Sequence, residues 1–154
     1  MAERGLALVY GGGNVGLMGI VADSVMAHGG AAIGIIPEAL MQKEVGHRGL
    51  TELHIVRNMH ERKQMMADRA DAFIAMPGGV GTFEELFETF TWAQLGYHDK
   101  PVGLLNVAGF YNGMLGFLNH AVSEGFLKQV HADMMHVSTE PEDMLARLAA
   151  APRV

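Results

Sequence analysis

Short apolar runs alternate along the chain with longer segments whose apolar residues recur at helical spacing. The apolar runs are stopped by glycine, proline or polar residues, and they predict buried strands at residues 6–10, 31–36, 53–56, 72–76 and 101–107. The helical spacing predicts helices at residues 14–28, 58–69, 83–95, 111–124 and 141–149. Strands that are apolar throughout and separated by helices are typical of a parallel sheet with helices on both faces.

The pattern therefore predicts an α/β protein with a doubly wound parallel sheet, covered by helices on both faces. No repeat, linker or low-complexity segment interrupts the 154 residues, so we expect a single domain over residues 1–154. The helix at residues 83–95 carries more apolar residues than one sheet-facing stripe requires. Two interpretations stay open for this helix: it is enclosed within its own domain, or its second face packs on a partner subunit in a homodimer.

Composition excludes several classes of function. The net charge of −6 provides no broad basic surface for nucleic acid or an anionic membrane. The chain has no cysteine, which excludes disulfides and thiolate metal sites, and its eight histidines show no metal-ligand spacing, so no metal is expected. No apolar run is long enough to span a bilayer, and the N-terminus lacks a signal-peptide pattern. We expect a soluble, cytoplasmic protein.

Residues 77–85 (PGGVGTFEE) are the most informative segment. They lie between a predicted strand and a predicted helix, where glycines let backbone N–H groups surround an anion at the helix N-terminus. Thr82 and Glu85 also match a capping box, which is a purely structural alternative for both residues. Glu84 is a further acid at the same place, and a carboxylate aimed at a ribose could stabilise an oxocarbenium-like transition state.

Two further motifs have open interpretations. Residues 11–16 fit the dinucleotide-binding pattern G-x-G-x-x-G, with Glu38 as a candidate ribose ligand, but 154 residues leave no room for the substrate domain that a nicotinamide enzyme needs. Arg62 and Lys63 form a basic pair that suits the binding of a phosphate or carboxylate. The alternative for this pair is a solvated helix face.

The combination of these motifs resembles the LOG ("Lonely guy") family of cytokinin riboside 5′-monophosphate phosphoribohydrolases, once labelled lysine decarboxylases. The resemblance covers residues 6 to at least 125 and is carried by residues 10–13 (YGGG), 16–19 (GLMG), 59–63 (MHERK), 77–85, 91–96 (TWAQLG) and 100–103 (KPVG). It implies a Rossmann-like fold, usually dimeric, without a cofactor. It also implies hydrolysis of purine nucleoside 5′-monophosphates, either N6-modified or AMP itself, to free base and ribose 5-phosphate. Nothing marks a Schiff-base lysine, so the decarboxylase label gains no support.

The resemblance also implies roles for individual residues, matched by position. Arg62 and Glu85 would be the catalytic pair. Substrate contacts would come from Glu44, Lys63, Gly79, Val80, Gly81, Thr82, Phe83, Glu84 and Thr91. Support for the phosphate-binding loop would come from Gly11, Gly12, Gly13 and Gly78.

One departure from the family and one alternative function remain. Family members begin with a strand, a glycine/serine turn and a helix ahead of the strand predicted at residues 6–10, so we expect a sheet that lacks this first strand–helix unit. The alternative function is a non-catalytic carrier of a phosphorylated ligand, of the molybdenum cofactor carrier type. Such a carrier needs the glycine loop but not the pair Arg62 and Glu85, so the presence of the pair favours catalysis.

Overall fold

The computed structural model describes residues 1–41, 43 and 46–151. The chain divides into two compact units, Met1–Ala70 and Asp71–Val154. Each unit contains a three-stranded sheet whose described strands are all parallel, flanked by helices. The prediction of an α/β fold with parallel strands is therefore confirmed, while the strands form two sheets, one in each unit. The single domain over residues 1–154 stays a prediction.

The first unit is built around a buried central strand. After a short 3-10 helix (Ala2–Arg4), its elements are β1 (Leu8–Tyr10), α1 (Leu17–Ala27), β2 (Ala32–Pro37), α2 (Glu38–Met41), β3 (Glu52–Val56) and α3 (Met59–Arg69). The strand order is β1-β2-β3, so β2 pairs on both sides. Ile35 and Ile36 of β2 are fully buried, and Ala22 of α1 packs with Tyr10 and Ala32. This packing places the carboxyl ends of β1 and β2 beside each other.

The second unit has the same plan. Its elements are β4 (Phe73–Ala75), α4 (Val80–Gln94), β5 (Val102–Leu105), a 3-10 helix (Val107–Gly109), α5 (Asn112–Ser123), α6 (Gln129–Ala132), β6 (Met135–Ser138) and α7 (Pro141–Ala150). The strand order is β4-β5-β6. Leu86 and Phe90 of α4 pack with Leu104 of β5 and with Tyr111 in one apolar cluster. Burial of these apolar side chains holds α4 against the sheet, and this fixes the position of the loop that precedes α4.

The predicted strands and helices are present, with several corrections. The strand β6 was not predicted because His136 interrupts its apolar run, and the four-residue helices α2 and α6 were not predicted because they are too short to show a helical period. The helix predicted from residue 14 begins at Leu17, and the helix predicted from residue 83 begins at Val80. The N-cap of α4 is Gly79, so Thr82 lies inside the helix and the capping-box prediction was wrong. No helix in the described ranges is both long and apolar enough to cross a membrane.

Candidate functional site

A turn of three buried glycines follows β1 in the first unit. Each of their carbonyl oxygens accepts a hydrogen bond from a different segment. Arg62 Nη2 donates to the Gly11 oxygen at 2.8 Å, the backbone N–H of His47 to Gly12 at 2.9 Å, and the Tyr10 hydroxyl to Gly13 at 3.1 Å. Since all three carbonyls are bound, the path of the turn is fixed. Gly11, Gly12 and Gly13 are thus held rigidly beside Arg62.

Arg62 is a buried cation at the carboxyl ends of two strands. It is only 6% exposed, and its Nε donates to the Ile35 oxygen of β2 at 3.1 Å. The guanidinium fills the space above Gly11, because a Cβ added at Gly11 would overlap it. The interpretation of Arg62 as part of a solvated helix face was therefore wrong. The guanidinium thus places a positive charge beside the glycine turn, which suits an anion.

The beginning of α3 sets the position of Arg62 and of half-buried Lys63. Asn58 caps the helix, since its side chain accepts a hydrogen bond from the Glu61 N–H at 3.0 Å. Arg57 Nε donates to a Glu61 carboxylate oxygen at 2.6 Å, and this bond lowers the pKa of the Glu61 carboxyl. These contacts order the turn that precedes the basic pair.

Two side chains in the first unit support the glycine turn without having been predicted from the sequence. Burial, helped by the charge of Asp23, raises the pKa of Tyr10 to about 12, so its phenol remains a donor to Gly13 at neutral pH. His47 Nδ1 accepts the Gly49 N–H at 3.2 Å, which leaves its Nε2–H to donate to Asp23 Oδ1 at 2.8 Å. These bonds hold the segment whose backbone contacts Gly12.

The glycine loop of the second unit connects β4 to the N-terminus of α4. The N-cap of this helix is Gly79, which has no side chain to cap it, and the first helical hydrogen bond runs from the Phe83 N–H to the Gly79 oxygen at 3.2 Å. An uncapped helix start presents its N–H groups and the positive end of its dipole to an anion. Gly79, Val80 and Gly81 are exposed there, Val80 by 81%. The loop therefore presents exposed backbone at the start of a helix, where an anion could bind.

Thr82 packs against Gly78 and shapes the loop from inside. A Cβ added at Gly78 would lie 2.9 Å from the Thr82 Cβ, so only glycine fits at this position. Phe83 is half-buried and packs against the apolar cluster of the second unit. Residues 79–81 of the loop are thus exposed, while Gly78 before them and Phe83 after them are packed against other side chains.

Two carboxylates follow in the next turn of α4. Glu84 is exposed and Glu85 is half-buried, as expected for neighbours that project about 100° apart on a helix. Thr91 is exposed and lies seven residues after Glu84, so the two share one face about 10 Å apart along the axis. Glu44 lies outside the described residues. In the described part of the chain, no three histidine, aspartate or glutamate side chains are grouped so as to hold a metal.

A further contact of the glycine loop was also missed by sequence reasoning. The Tyr111 hydroxyl donates to the Met76 carbonyl oxygen at 2.5 Å, directly before the loop. Burial raises the pKa of Tyr111, which keeps the hydroxyl protonated. The partners are 35 residues apart, and no local pattern signals such a pairing.

Comparison with known proteins identifies close relatives. The family model described as "Possible lysine decarboxylase" matches residues 18–148. The chain is 47% identical over 148 residues to the cytokinin riboside 5′-monophosphate phosphoribohydrolase LOG1 of Arabidopsis thaliana, covering 96% of the chain and 70% of that protein. It is 57% identical over 129 residues to the cytokinin riboside 5′-monophosphate phosphoribohydrolase LOG of Oryza sativa subsp. japonica, covering 84% of the chain and 53% of that protein. A probable phosphoribohydrolase of the same plant, LOGL2, is 48% identical, and the chain spans 61% of its length.

A solved structure shows a similar fold. The molybdenum cofactor binding protein of the phototrophic bacterium Rippkaea orientalis matches with a TM-score of 0.69, covering 97% of this chain and 79% of that one. The sequence identity is 20%, so the likeness concerns the fold alone.

Proposed function

Since the chain belongs to the LOG family, we propose that it hydrolyses the N-glycosidic bond of a purine nucleoside 5′-monophosphate to free base and ribose 5-phosphate. The base is adenine or an N6-modified adenine, so the activity is cytokinin activation or AMP nucleosidase activity. The observation that carries the proposal is the start of α4 with glycine as its N-cap, where exposed glycines precede two carboxylates. That arrangement offers N–H groups for a phosphate and acids for a ribose.

The glycine loop is proposed to bind the 5′-phosphate. The N–H groups of Gly79, Val80, Gly81 and Thr82 at the first turn of α4 would surround it. The Phe83 N–H already donates to the Gly79 oxygen, so Phe83 would contact the substrate through its side chain. Gly78 would support the loop by admitting the Thr82 side chain. The loop supplies no positively charged side chain of its own, so binding there would rest on N–H groups and the helix dipole.

The two carboxylates are proposed to act on the ribose. Glu84 would bind ribose hydroxyls, and Glu85 would orient a water and accept its proton as the water oxygen bonds to C1′. The C1′–N9 bond breaks at the same time, and its electron pair leaves with the purine, which takes up a proton. A carboxylate near C1′ stabilises the positive charge that develops there. No cofactor enters this reaction.

Arg62 is proposed as the partner of Glu85 in catalysis. Its buried, permanent charge suits electrostatic stabilisation rather than proton transfer. Lys63, Glu44 and Thr91 are proposed as further substrate contacts. Gly11, Gly12 and Gly13 would support the site by holding Arg62, since the Gly11 oxygen accepts its Nη2–H.

A homodimer and a cytoplasmic location are proposed as well. Support for the dimer comes from exposed apolar surface at the C-terminal end of α4, where Leu95 is exposed. Size-exclusion chromatography with light scattering measures the number of subunits. The variant Leu95→Lys is expected to shift a dimer to monomer. A monomeric parent chain would contradict the dimer. Fractionation of the source cells tests the location.

The activity is tested by chromatography of AMP and isopentenyladenosine monophosphate after incubation with the purified chain and no additives. We expect release of free base, and the ratio of the two rates measures the preference for an N6 substituent. Binding of either nucleotide without release of base would instead support the carrier function. Absence of both binding and release would refute the proposal.

A further inference from the structure

Tyr111 contacts both ends of the glycine loop of the second unit. Its hydroxyl donates to the carbonyl of the Met76–Pro77 peptide, the peptide at which the loop begins, at 2.5 Å. Its ring meets the ring of Phe83 edge-on, with centroids 6.2 Å apart, in the first turn of α4 where the loop ends. The Tyr111 side chain is 1% exposed, whereas Met76 and Phe83 are half-buried. One rigid ring therefore connects the beginning of the loop to its end.

Tyr111 is itself fixed by a buried asparagine at the end of β5. Asn106 Oδ1 accepts the Tyr111 N–H at 2.7 Å, and Asn106 Nδ2 donates to Asn112 Oδ1 at 2.8 Å. The turn between them includes Ala108 with φ of 50°, a backbone conformation that non-glycine residues adopt only when their surroundings enforce it. The turn is thus built to hold Tyr111 in one place.

We propose that Tyr111 is a positioning residue for phosphate binding, which holds the glycine loop in the shape that receives the 5′-phosphate. The inference rests on the proposed function, because it assigns the loop to that phosphate. Without the hydroxyl, the Met76–Pro77 peptide loses its buried partner and the loop gains conformational freedom that ligand binding must remove. The ring contact with Phe83 would remain.

A positioning role for Tyr111 has different consequences from a role in core packing alone. If Tyr111 only fills the core, its hydroxyl affects stability and leaves ligand preference unchanged. If it shapes the loop, its loss weakens every ligand that carries the phosphate and spares ligands that lack it. Comparison of a phosphorylated with an unphosphorylated ligand therefore separates the two roles.

The test compares Tyr111→Phe with the matched variant Tyr97→Phe, since Tyr97 is 75% exposed. For Tyr111→Phe we expect the KM for AMP and the inhibition constant of ribose 5-phosphate to rise about tenfold, the scale of one lost hydrogen bond. The inhibition constant of adenine and kcat should change less than about twofold by the same reasoning. Tyr97→Phe should match the parent chain in the KM for AMP, in kcat and in the inhibition constants of ribose 5-phosphate and adenine. Equal weakening of adenine and ribose 5-phosphate, or no change in either, would overturn the inference.

A second variant and a second measurement apply where the first test fails. If Tyr111→Phe does not fold, Asn106→Asp retains the acceptor for the Tyr111 N–H and removes the donor to Asn112, and a smaller shift in the same direction is expected. If the parent chain does not hydrolyse AMP, calorimetric titration with ribose 5-phosphate and adenine still measures the selective loss. Hydrolysis by the parent with unchanged constants in Tyr111→Phe refutes the inference alone. Selective weakening without hydrolysis refutes the proposed reaction alone, and a parent that binds neither ligand refutes both.

Discussion

Replacement of Arg62 by alanine should destabilise the first unit as well as impair activity. The change removes a buried guanidinium that donates to the Gly11 and Ile35 carbonyl oxygens at 2.8 and 3.1 Å. Hydrogen bonds from charged groups contribute about 1.5–3 kcal/mol each, and part of that is returned because a buried charge no longer has to be desolvated. We expect the free energy of unfolding to fall by about 3 kcal/mol.

Urea denaturation followed by far-ultraviolet circular dichroism measures this loss. With an m value of about 2 kcal/mol per M, the midpoint should fall by roughly 1.5 M. Arg57→Ala is the matched control, because Arg57 lies just before the same helix with its side chain 88% exposed, and it should lower the midpoint far less than Arg62→Ala does. Equal midpoints for the two variants would refute the account of Arg62 as a buried anchor of the glycine turn.

Activity measurements on the folded fraction separate the anchor from the chemistry. Arg62→Ala should raise KM and lower kcat, since the proposed role combines binding with electrostatic stabilisation. Arg62→Lys keeps the charge without the planar fork, so its midpoint and its rate should lie between those of the parent and of the alanine variant. Unchanged kinetics in folded Arg62→Ala would remove this residue from the catalytic pair.

Three further predictions follow from the second unit. Glu85→Gln should lower kcat about 10²–10⁴-fold while nucleotide binding by calorimetry stays within error, and a retained rate would exclude Glu85 as the base. Gly78→Ala should weaken ribose 5-phosphate binding more than adenine binding, because the added methyl displaces Thr82; equal affinities would contradict the packing. The hydrogen bond from Ser138 lowers the pKa of the Asp143 carboxyl, so its stabilising effect exists above the ordinary pKa and is lost as pH falls through the lowered value. Asp143→Asn should therefore flatten the acid side of the pH–stability curve, and an unchanged curve would exclude this linkage.

The pattern of apolar residues along the sequence predicted the buried strands well. The run that became β2 is apolar throughout, and it forms the central strand of its sheet with Ile35 and Ile36 fully buried. In contrast, β6 (Met135–Ser138) is four residues long and includes a histidine, so it does not stand out from a loop. The continuity of the apolar run therefore decided which strands could be predicted, since β1 and β4 are shorter than β6 and were predicted.

The motifs of the candidate site could be predicted from the sequence, but the contacts between its residues could not. The glycine loop and the acids after it are visible in the sequence because they are contiguous. The start of α4 was misplaced, since Thr82 and Glu85 match a capping box that the helix does not use. The burial of Arg62 depends on carbonyls 27 and 51 residues away, and pairings of that separation have no local signal.

The most direct test of the central claim is the stoichiometry of the products from isopentenyladenosine monophosphate. Phosphorus NMR identifies the fate of the phosphate while chromatography measures the released base. We predict equimolar free base and ribose 5-phosphate, with no inorganic phosphate, and a rate at least about 10²-fold lower in Glu85→Gln. Release of inorganic phosphate with the nucleoside left intact, or base release at the parent rate in Glu85→Gln, would contradict the proposed reaction.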